Sequence, residues 1–150
     1  MKTLVIDNYD SYTHLIAYYC HVITQQAPIV IKNNTYDVTY IKRYQPDVII
    51  FSPGPGEPTT CGDVGVCADV LADPDLSETP ILGVCLGHQL IASYYGLEVI
   101  QAPQPFHGKQ SIVEHTQDLL FDGLPDRFPV IRYHSLVVDS FSKHADLMCI

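Results

Sequence analysis

The chain has no tryptophan and few basic residues: 8 Lys and Arg stand against 17 Asp and Glu, for a formal charge of −9. Binding to nucleic acid or to an anionic membrane surface needs clustered Lys and Arg, so this scarcity argues against both partners. No apolar run is long enough to cross a bilayer. The sequence opens directly on a strand pattern, so we expect no secretory signal peptide. Together these absences predict a cytoplasmic protein.

The sequence also lacks the ligand spacing of a metal site. Its cysteines are odd in number and irregularly spaced, and no pair of His or Cys residues lies beside them at the distance a zinc knuckle requires. In a chain without a signal peptide, this pattern is typical of reduced thiols. We therefore expect no metal and no cofactor. The five cysteines are Cys20, Cys61, Cys67, Cys85 and Cys149.

Short apolar runs alternate with helical patterns as far as Gly96. This alternation predicts βαβ units with right-handed crossovers, and hence an α/β fold with an open, doubly wound, mostly parallel sheet of the flavodoxin-like kind. The length of 150 residues suits a single domain over 1–150. Strands are predicted at 2–6, 29–31, 47–51 and 81–84, and helices after an N-cap at Ser11, at 38–44 and 63–71, and from Leu86.

After Gly96 the pattern changes to shorter apolar segments joined by turns that contain Pro and Gly. Such segments predict a small antiparallel extension of the parallel core. The Pro-rich stretch 102–105 is predicted to be a loop, and the end of the chain is predicted to be a strand that enters a sheet. The predicted strands are 97–101, 110–114, 130–134 and 147–150.

Residues 81–89, Ile-Leu-Gly-Val-Cys-Leu-Gly-His-Gln, place a thiol at a sharp turn between a strand and a helix. Gly83 and Gly87 flank Cys85 by two positions, which permits a strained turn and the close approach of neighbouring chain. Such an elbow exposes a nucleophile, and a helix N-terminus favours its thiolate. A buried structural cysteine is the alternative, and the glycine spacing makes it the weaker one.

Residues 52–58, Ser-Pro-Gly-Pro-Gly-Glu-Pro, directly follow a predicted buried strand. Their prolines fix the backbone and their glycines leave backbone amides bare, which suits an oxyanion hole or the binding of a carboxylate. The segment lacks the lysine and spacing of a phosphate-binding loop. A rigid turn without further function would be the favoured reading of this segment alone, and the adjacent elbow makes it the lesser one.

Histidines and tyrosines complete the candidate residues. A lone histidine such as His107 or His134 is more often structural than a base, although the polar, turn-rich setting of both favours a place in the wall of a site. His88 follows Cys85 by three positions and points along the helix flank, so we do not assign it as the base. Tyr9 and Tyr12 suit either core packing or a surface that binds a partner.

Taken together, these segments resemble the class I, triad-type glutamine amidotransferases, and the resemblance covers nearly the whole chain. The opening at 7–13, Asp-Asn-Tyr-Asp-Ser-Tyr-Thr, resembles the glutaminase subunits of anthranilate synthase and aminodeoxychorismate synthase. Four segments match that group in the same order: 52–56, 83–89, His-Gly-Lys at 107–109, and Arg-Tyr-His-Ser-Leu at 132–136.

The resemblance implies a role for individual residues. Cys85 would attack the side-chain amide of glutamine to form a thioester and release ammonia, with an oxyanion hole from the N–H groups of Gly56 and Leu86. The Leu86 donor is also expected from the elbow itself. Ammonia would pass to a chorismate-binding synthase component. The residues that would hold L-glutamine are Gly54, Pro55, Gly56, Gln89, Ser135 and Leu136, and those that would face the partner are Tyr9, Ser11 and Tyr12.

The sequence departs from the family at its catalytic base. The family carries its His and Glu in a His-Pro-Glu motif after further strands, and no such motif occurs in these 150 residues. We therefore expect a domain truncated at its C-terminus. Two alternatives remain: a catalytically inactive subunit that binds the synthase component or glutamine, and an unrelated cysteine hydrolase that uses His134 or His107 as its base. The product, anthranilate or para-aminobenzoate, is left open because the partner determines it.

Overall fold

A four-stranded parallel sheet organises the first part of the computed structural model, which describes residues 1–139 and 147–150. The strands are β1 (Thr3–Asp7), β2 (Ile29–Lys32), β3 (Val48–Phe51) and β4 (Ile81–Gly83), in the order β2-β1-β3-β4. Because the chain winds outward from β1 in both directions, the sheet is open and doubly wound, which confirms the predicted α/β fold. This unit spans Met1–Gly96, and the second spans Leu97–Ile150.

The core of the first unit lies along the two central strands. Leu4, Val5 and Ile6 of β1 are fully buried, as are Ile49 and Phe51 of β3. Strands that are covered on both faces are continuously apolar, which is the pattern that predicted a buried β3. The sheet is covered by helices α1 (Thr13–Thr24), α2 (Val38–Tyr44), α3 (Cys61–Val64), α4 (Val66–Ala72) and α5 (Leu86–Tyr94), with a 3₁₀ turn at Pro74–Leu76.

Helix α1 begins differently from the prediction. Ser11 is not its N-cap: Tyr12 occupies that position and makes no side-chain capping bond. The turn is instead held by Asp7, whose Oδ1 accepts hydrogen bonds from the Tyr9 N–H (2.8 Å) and the Thr13 hydroxyl (2.8 Å). The Asp7 carboxylate at the end of β1 thus stabilises the start of α1, as had been expected of Ser11.

The helix predicted over 63–71 is in fact two helices. Gly65 separates α3 from α4 with φ +49°, and the Val66 N–H donates to the Asn33 carbonyl at 2.8 Å. A Cβ at Gly65 would overlap that carbonyl, so the break requires glycine. The apolar period continued through the break, which is why the pattern predicted one helix.

The second unit contains a long antiparallel hairpin of β5 (Val99–Glu114) and β6 (Arg127–Val138), with a 3₁₀ turn at Leu119–Phe121. It confirms the antiparallel extension but not its details. The expected shorter strands are parts of these two, and 102–105 belongs to β5 instead of forming a loop. Pairing shifts register between Gln101 and Phe106, where prolines cannot donate to the ladder. Residues 147–150 form no strand.

No described helix has the length and apolar character needed to cross a membrane. All five cysteines are free. Within residues 1–139 and 147–150, no three His, Cys, Asp or Glu side chains lie together as a metal site would require.

Candidate active site

The candidate site lies at the carboxyl edge of the parallel sheet, where ligands of such sheets bind. Asn8 follows β1 and donates through its N–H to the Ser52 hydroxyl (2.9 Å), which follows β3. The Asn8 side-chain amide donates to the Ser52 carbonyl at 2.9 Å. The Val84 N–H donates to the Phe51 carbonyl at 3.0 Å, so the ends of β3 and β4 are adjacent. Three motif-bearing segments therefore meet at one edge.

Cys85 occupies a strained backbone conformation between β4 and α5. Its φ of +52° with ψ −107° lies where residues with a side chain are rarely found. The helix closes directly behind it, because the Gln89 N–H donates to the Cys85 carbonyl at 2.9 Å. Such strain persists only where the surrounding structure enforces it, and it is concentrated at functional sites.

The two glycines that flank Cys85 enforce this turn by their lack of a side chain. A Cβ at Gly83 would lie 2.5 Å from the carbonyl carbon of Gly87, and a Cβ at Gly87 would lie 2.5 Å from the Phe51 Cβ. Helix α5 therefore packs directly onto the ends of β3 and β4. The sequence-based prediction of a tight elbow rested on these two glycines.

The Cys85 thiol is not a spontaneous thiolate. Burial raises its pKa above the ordinary value, the Leu86 N–H lowers it, and the Asp10 carboxylate raises it further. The helix N-terminus thus favours the thiolate as expected, but burial outweighs it. To act as a nucleophile, this thiol would need a base or a bound substrate that removes its proton.

The Pro-Gly segment lies against the elbow. A Cβ at Gly54 would be 2.5 Å from the Asn8 carbonyl oxygen and 2.9 Å from the Leu86 Cδ2, so the segment packs between the end of β1 and the start of α5. Gly56 has φ +99° and is exposed, as is Pro55. The structure thus brings Gly54 against Leu86, the residue that directly follows Cys85.

Gln89 lies one turn further along α5, and its residue is 7% exposed. A buried amide side chain on the first turns of this helix is compatible with the role predicted for it. The role of Gln89 in binding L-glutamine stays a prediction. His88 is exposed on the same helix, and partial desolvation of its ring lowers its pKa.

The residues predicted to face a partner lie on the turn between β1 and α1. Tyr9 is 51% exposed and Tyr12 is 56% exposed. The Tyr9 hydroxyl donates to Asn34 Oδ1 at 2.6 Å, and the Lys32 ammonium lies 4.5 Å from its ring centroid. Ser11 is exposed on the same turn. Their role in binding a partner remains a prediction.

The second unit holds Ser135 and Leu136 on β6, next to His134. Arg132 Nε donates to His134 Nε2 at 2.9 Å, and His134 Nδ1 lies 2.9 Å from the Leu136 carbonyl oxygen. Since Nε2 accepts, the proton of a neutral ring is on Nδ1, which therefore donates to Leu136. Both ring nitrogens are engaged, so the geometry does not favour His134 as a general base.

Sequence reasoning missed several polar residues at the sheet edge. Asn8 and Asn33 are both buried, and Asp63 contacts the Pro-Gly segment. The one available signal was the position of Asp7-Asn8 directly after a buried strand. Asn33 and Asp63 carried no signal, because their partners are distant in sequence.

A thiol on a strained elbow at the carboxyl edge of an open, doubly wound sheet defines an α/β protein with a candidate cysteine nucleophile. The chain belongs to the class I glutamine amidotransferase family, whose family model, "Glutamine amidotransferase class-I", matches residues 4–149. The resemblance predicted from the motifs is therefore confirmed.

Named relatives agree with this assignment. Anthranilate synthase component 2 of Methanothermobacter marburgensis is 42% identical over 149 residues, covering 97% of this chain and 74% of that protein. The chloroplastic aminodeoxychorismate synthase of Arabidopsis thaliana is 41% identical over 157 residues. The alignment covers 99% of this chain but only 17% of the Arabidopsis protein, so the chain spans less than a fifth of that relative.

The fold is shared with solved amidotransferases. A glutamine amidotransferase from Thermotoga maritima superposes with a TM-score of 0.71 over 93% of this chain and 62% of that one. Its sequence identity is 16%, so the likeness supports the fold alone.

Proposed function

We propose that this chain is the glutaminase part of a chorismate-aminating synthase of the anthranilate or aminodeoxychorismate type. It takes L-glutamine, frees the side-chain nitrogen as ammonia, and passes the ammonia to a chorismate-binding component. The family and the printed names of the relatives support this assignment. The free cysteines are compatible with a reducing compartment, for which we propose the cytoplasm.

The observation that carries the proposal is the backbone of Cys85. Its side chain is held at φ +52°, directly before a helix and between two glycines that tolerate no Cβ, and this geometry supports a role in nucleophilic attack. A merely structural cysteine would gain nothing from this strain. Cys67 is the contrast: it is fully buried on α4, burial raises its pKa to about 12, and its backbone is helical.

In the proposed reaction the Cys85 sulfur forms a bond to the amide carbon of glutamine. The carbonyl oxygen becomes an oxyanion, which the N–H groups of Gly56 and Leu86 stabilise. Collapse of this intermediate expels the nitrogen, which leaves as ammonia once it has gained a proton, and a thioester remains. Water then attacks the thioester to give glutamate and restores the thiol. Gly54, Pro55, Gln89, Ser135 and Leu136 are the proposed substrate contacts.

The proton transfers need a general base and acid that we do not identify among the described residues. The His-Pro-Glu motif that supplies them in the family does not occur in this sequence. Without a base we expect the chain to release ammonia roughly 10²–10⁴ times more slowly than an amidotransferase that has one. We expect covalent capture of substrate analogues to survive, because it needs only the thiol and the pocket.

Covalent labelling tests the proposal. A chloroketone analogue of glutamine is incubated with the chain, and the adduct is located by peptide mass spectrometry. We expect labelling at Cys85, protection by L-glutamine but not by D-glutamine, and no label at that position in Cys85→Ser. The exposed Cys61 serves as the internal control, since its modification should not respond to glutamine.

Equal labelling of Cys61 and Cys85 without protection by glutamine would contradict the proposal. Measurement of ammonia release with an added chorismate-binding component then distinguishes the alternatives. Turnover that is abolished by both Cys85→Ser and His134→Ala would favour the unrelated hydrolase. Glutamine binding with no reaction at Cys85 would favour an inactive binding subunit.

The partner is proposed to bind at the turn between β1 and α1. Tyr9, Ser11 and Tyr12 are exposed there, and exposed tyrosines commonly contribute much of the binding energy at protein interfaces. Replacement of both tyrosines by serine should weaken association with the chorismate-binding component and leave labelling of Cys85 unchanged. An unaltered association would locate the interface elsewhere.

A further inference from the structure

Asp63 on α3 directly contacts the Pro-Gly segment at Gly56, the proposed oxyanion donor. Its Oδ2 accepts a hydrogen bond from the Glu57 N–H at 2.9 Å. A Cβ added to Gly56 would overlap the Asp63 carboxylate, so the carboxylate lies against the Gly56 Cα. One side chain thus fixes the peptide that follows Gly56 and fills the space beside Gly56.

The backbone of Asp63 is in turn tied to the edge of the sheet. Asn33, which follows β2, donates from Nδ2 to the Asp63 carbonyl (2.8 Å) and to Asn8 Oδ1 (2.9 Å). Asn8 donates to both the hydroxyl and the carbonyl of Ser52. Asn8, Asn33 and Ser52 are buried, and hydrogen bonds between buried groups are costly to break. The Asp63 backbone is therefore tied to the ends of β1, β2 and β3.

The Gly56 backbone shows why such a clamp matters. Gly56 has φ +99°, a conformation that residues with a side chain rarely adopt. Because glycine has no Cβ, its own sterics do not fix the orientation of the two flanking peptides. The Glu57 N–H is engaged with Asp63, whereas the Gly56 N–H has no acceptor among the described residues. An oxyanion donor must be both unengaged and already oriented before the reaction.

We infer that Asp63 is a positioning residue that fixes Gly56 for oxyanion stabilisation, an inference that rests on the proposed function. Its effect is geometric and not electrostatic, because a carboxylate near a developing oxyanion opposes its charge. The neutral amide of Asp63→Asn can still accept from the Glu57 N–H through its oxygen, so it should preserve the effect. Asp63→Ala removes the acceptor and leaves the loop free to rotate.

Two reagents separate this role from a general effect on the thiol. With a chloroketone analogue of glutamine, the Cys85 sulfur first adds to the carbonyl carbon, and the carbonyl oxygen becomes an oxyanion. The sulfur then transfers to the chloromethylene carbon, chloride leaves, and the carbonyl re-forms. Iodoacetamide is attacked at its methylene carbon, iodide leaves, and no oxyanion develops. The second-order rates of modification at Cys85 are measured for both reagents by peptide mass spectrometry.

For Asp63→Ala we expect the chloroketone rate to fall about 10- to 100-fold, less than the 10²–10³ lost when an oxyanion donor is removed outright. The iodoacetamide rate should change less than about twofold, since it depends on thiol access and pKa alone. Asp63→Asn should recover the chloroketone rate to within about threefold. The matched control is Asp69→Ala, which removes an exposed carboxylate from α4 and should alter neither rate.

Equal slowing of both reagents in Asp63→Ala, or of neither, would overturn the inference while the proposed function stands. Failure of Asp63→Asn to recover the rate in a folded protein would also overturn it. Folding is checked by thermal melting, and Asp63→Asn retains the test if the alanine variant unfolds. No specific chloroketone labelling of the unaltered chain would instead overturn the proposed function, and this inference with it.

Discussion

The two units of the chain are ordered by different means. In Met1–Gly96, apolar strands and helices bury one another. Among the described residues, every buried hydrophobic side chain except Val138 belongs to this unit. In Leu97–Ile150, the β5–β6 hairpin exposes large apolar groups: Ile131 and Tyr133 are 61% and 62% exposed. An isolated two-stranded ribbon is at best marginally stable in water.

Contacts between neighbouring side chains, and not a buried core, stabilise the hairpin. The Arg132 guanidinium lies 3.5 Å from the Phe106 ring centroid, and the His134 ring stacks on the same phenyl at 5.5 Å. Contacts of this kind contribute about 0.5–1 kcal/mol each at exposed sites, whereas burial of one large side chain contributes several times more. Long-range packing therefore holds the proposed nucleophile, Cys85, whereas short-range pairing holds the predicted substrate contacts Ser135 and Leu136.

The largest expected difference between the two units comes from truncating a buried side chain in one and an exposed side chain in the other. Phe51→Ala removes a fully buried ring from β3 and should lower the free energy of unfolding by about 3–5 kcal/mol. Ile131→Ala on β6 should lower it by less than about 0.5 kcal/mol. Urea denaturation followed by circular dichroism measures both. Similar losses in the two variants would mean that the hairpin contributes to a core as the sheet does.

A second test compares the ion pairs of the two units as pH changes. Burial alone would raise the pKa of Asp7, but hydrogen bonds from Lys32, Thr13 and the Asp10 N–H outweigh it and hold the pKa below its usual value. A lowered pKa in the folded state stabilises the protein above the unfolded-state pKa near 3.8, and this stabilisation is lost as pH falls through the folded-state value.

We therefore expect Asp7→Asn to be less stable than the unaltered chain at pH 7, by about 1–3 kcal/mol, and the difference to shrink below pH 4. The pair of Glu114 with Arg127 in the hairpin joins side chains that are 67% and 68% exposed. Glu114→Gln should leave stability unchanged across the same range, because exposed pairs contribute little. Thermal melts at a series of pH values decide, and a constant Asp7→Asn deficit down to pH 2 would contradict the assignment.

The smallest expected effect is a change in the tautomer of His134 in the hairpin. Arg132 donates to His134 Nε2, so the neutral His134 ring should carry its proton on Nδ1. Nitrogen NMR shifts of the ring report this tautomer directly. Arg132→Gln should shift the ring toward a mixture of tautomers, whereas Arg127→Gln should not. A proton on Nε2 in the unaltered chain would refute the Arg132 contact.

Much of the first unit could be predicted from sequence because its signals are local. The helix predicted at 38–44 is the observed α2, and the apolar runs at 47–51 and 81–84 correspond to β3 and β4. The elbow was predictable because its signal is local: Gly83 and Gly87 lie within two residues of Cys85, although the close contact of Gly87 is with Phe51 of β3.

The errors occurred where a distant partner decides the structure. The break between α3 and α4 depends on the Asn33 carbonyl, which lies some thirty residues earlier and leaves no mark on the local apolar period. The start of α1 depends on the Asp7 carboxylate, not on Ser11. In the hairpin, prolines at 102–105 suggested a loop, although an irregular strand can accommodate them where pairing lapses.

The conformation of Cys85 has a consequence for anyone who redesigns this protein. Glycine would adopt φ +52° without strain, and relief of that strain is worth about 1 kcal/mol or more. A search that selects for thermal stability alone would therefore favour Cys85→Gly and would lose the proposed nucleophile. At this position thermal stability and reactivity favour different residues. Only a selection that also requires activity would keep the cysteine.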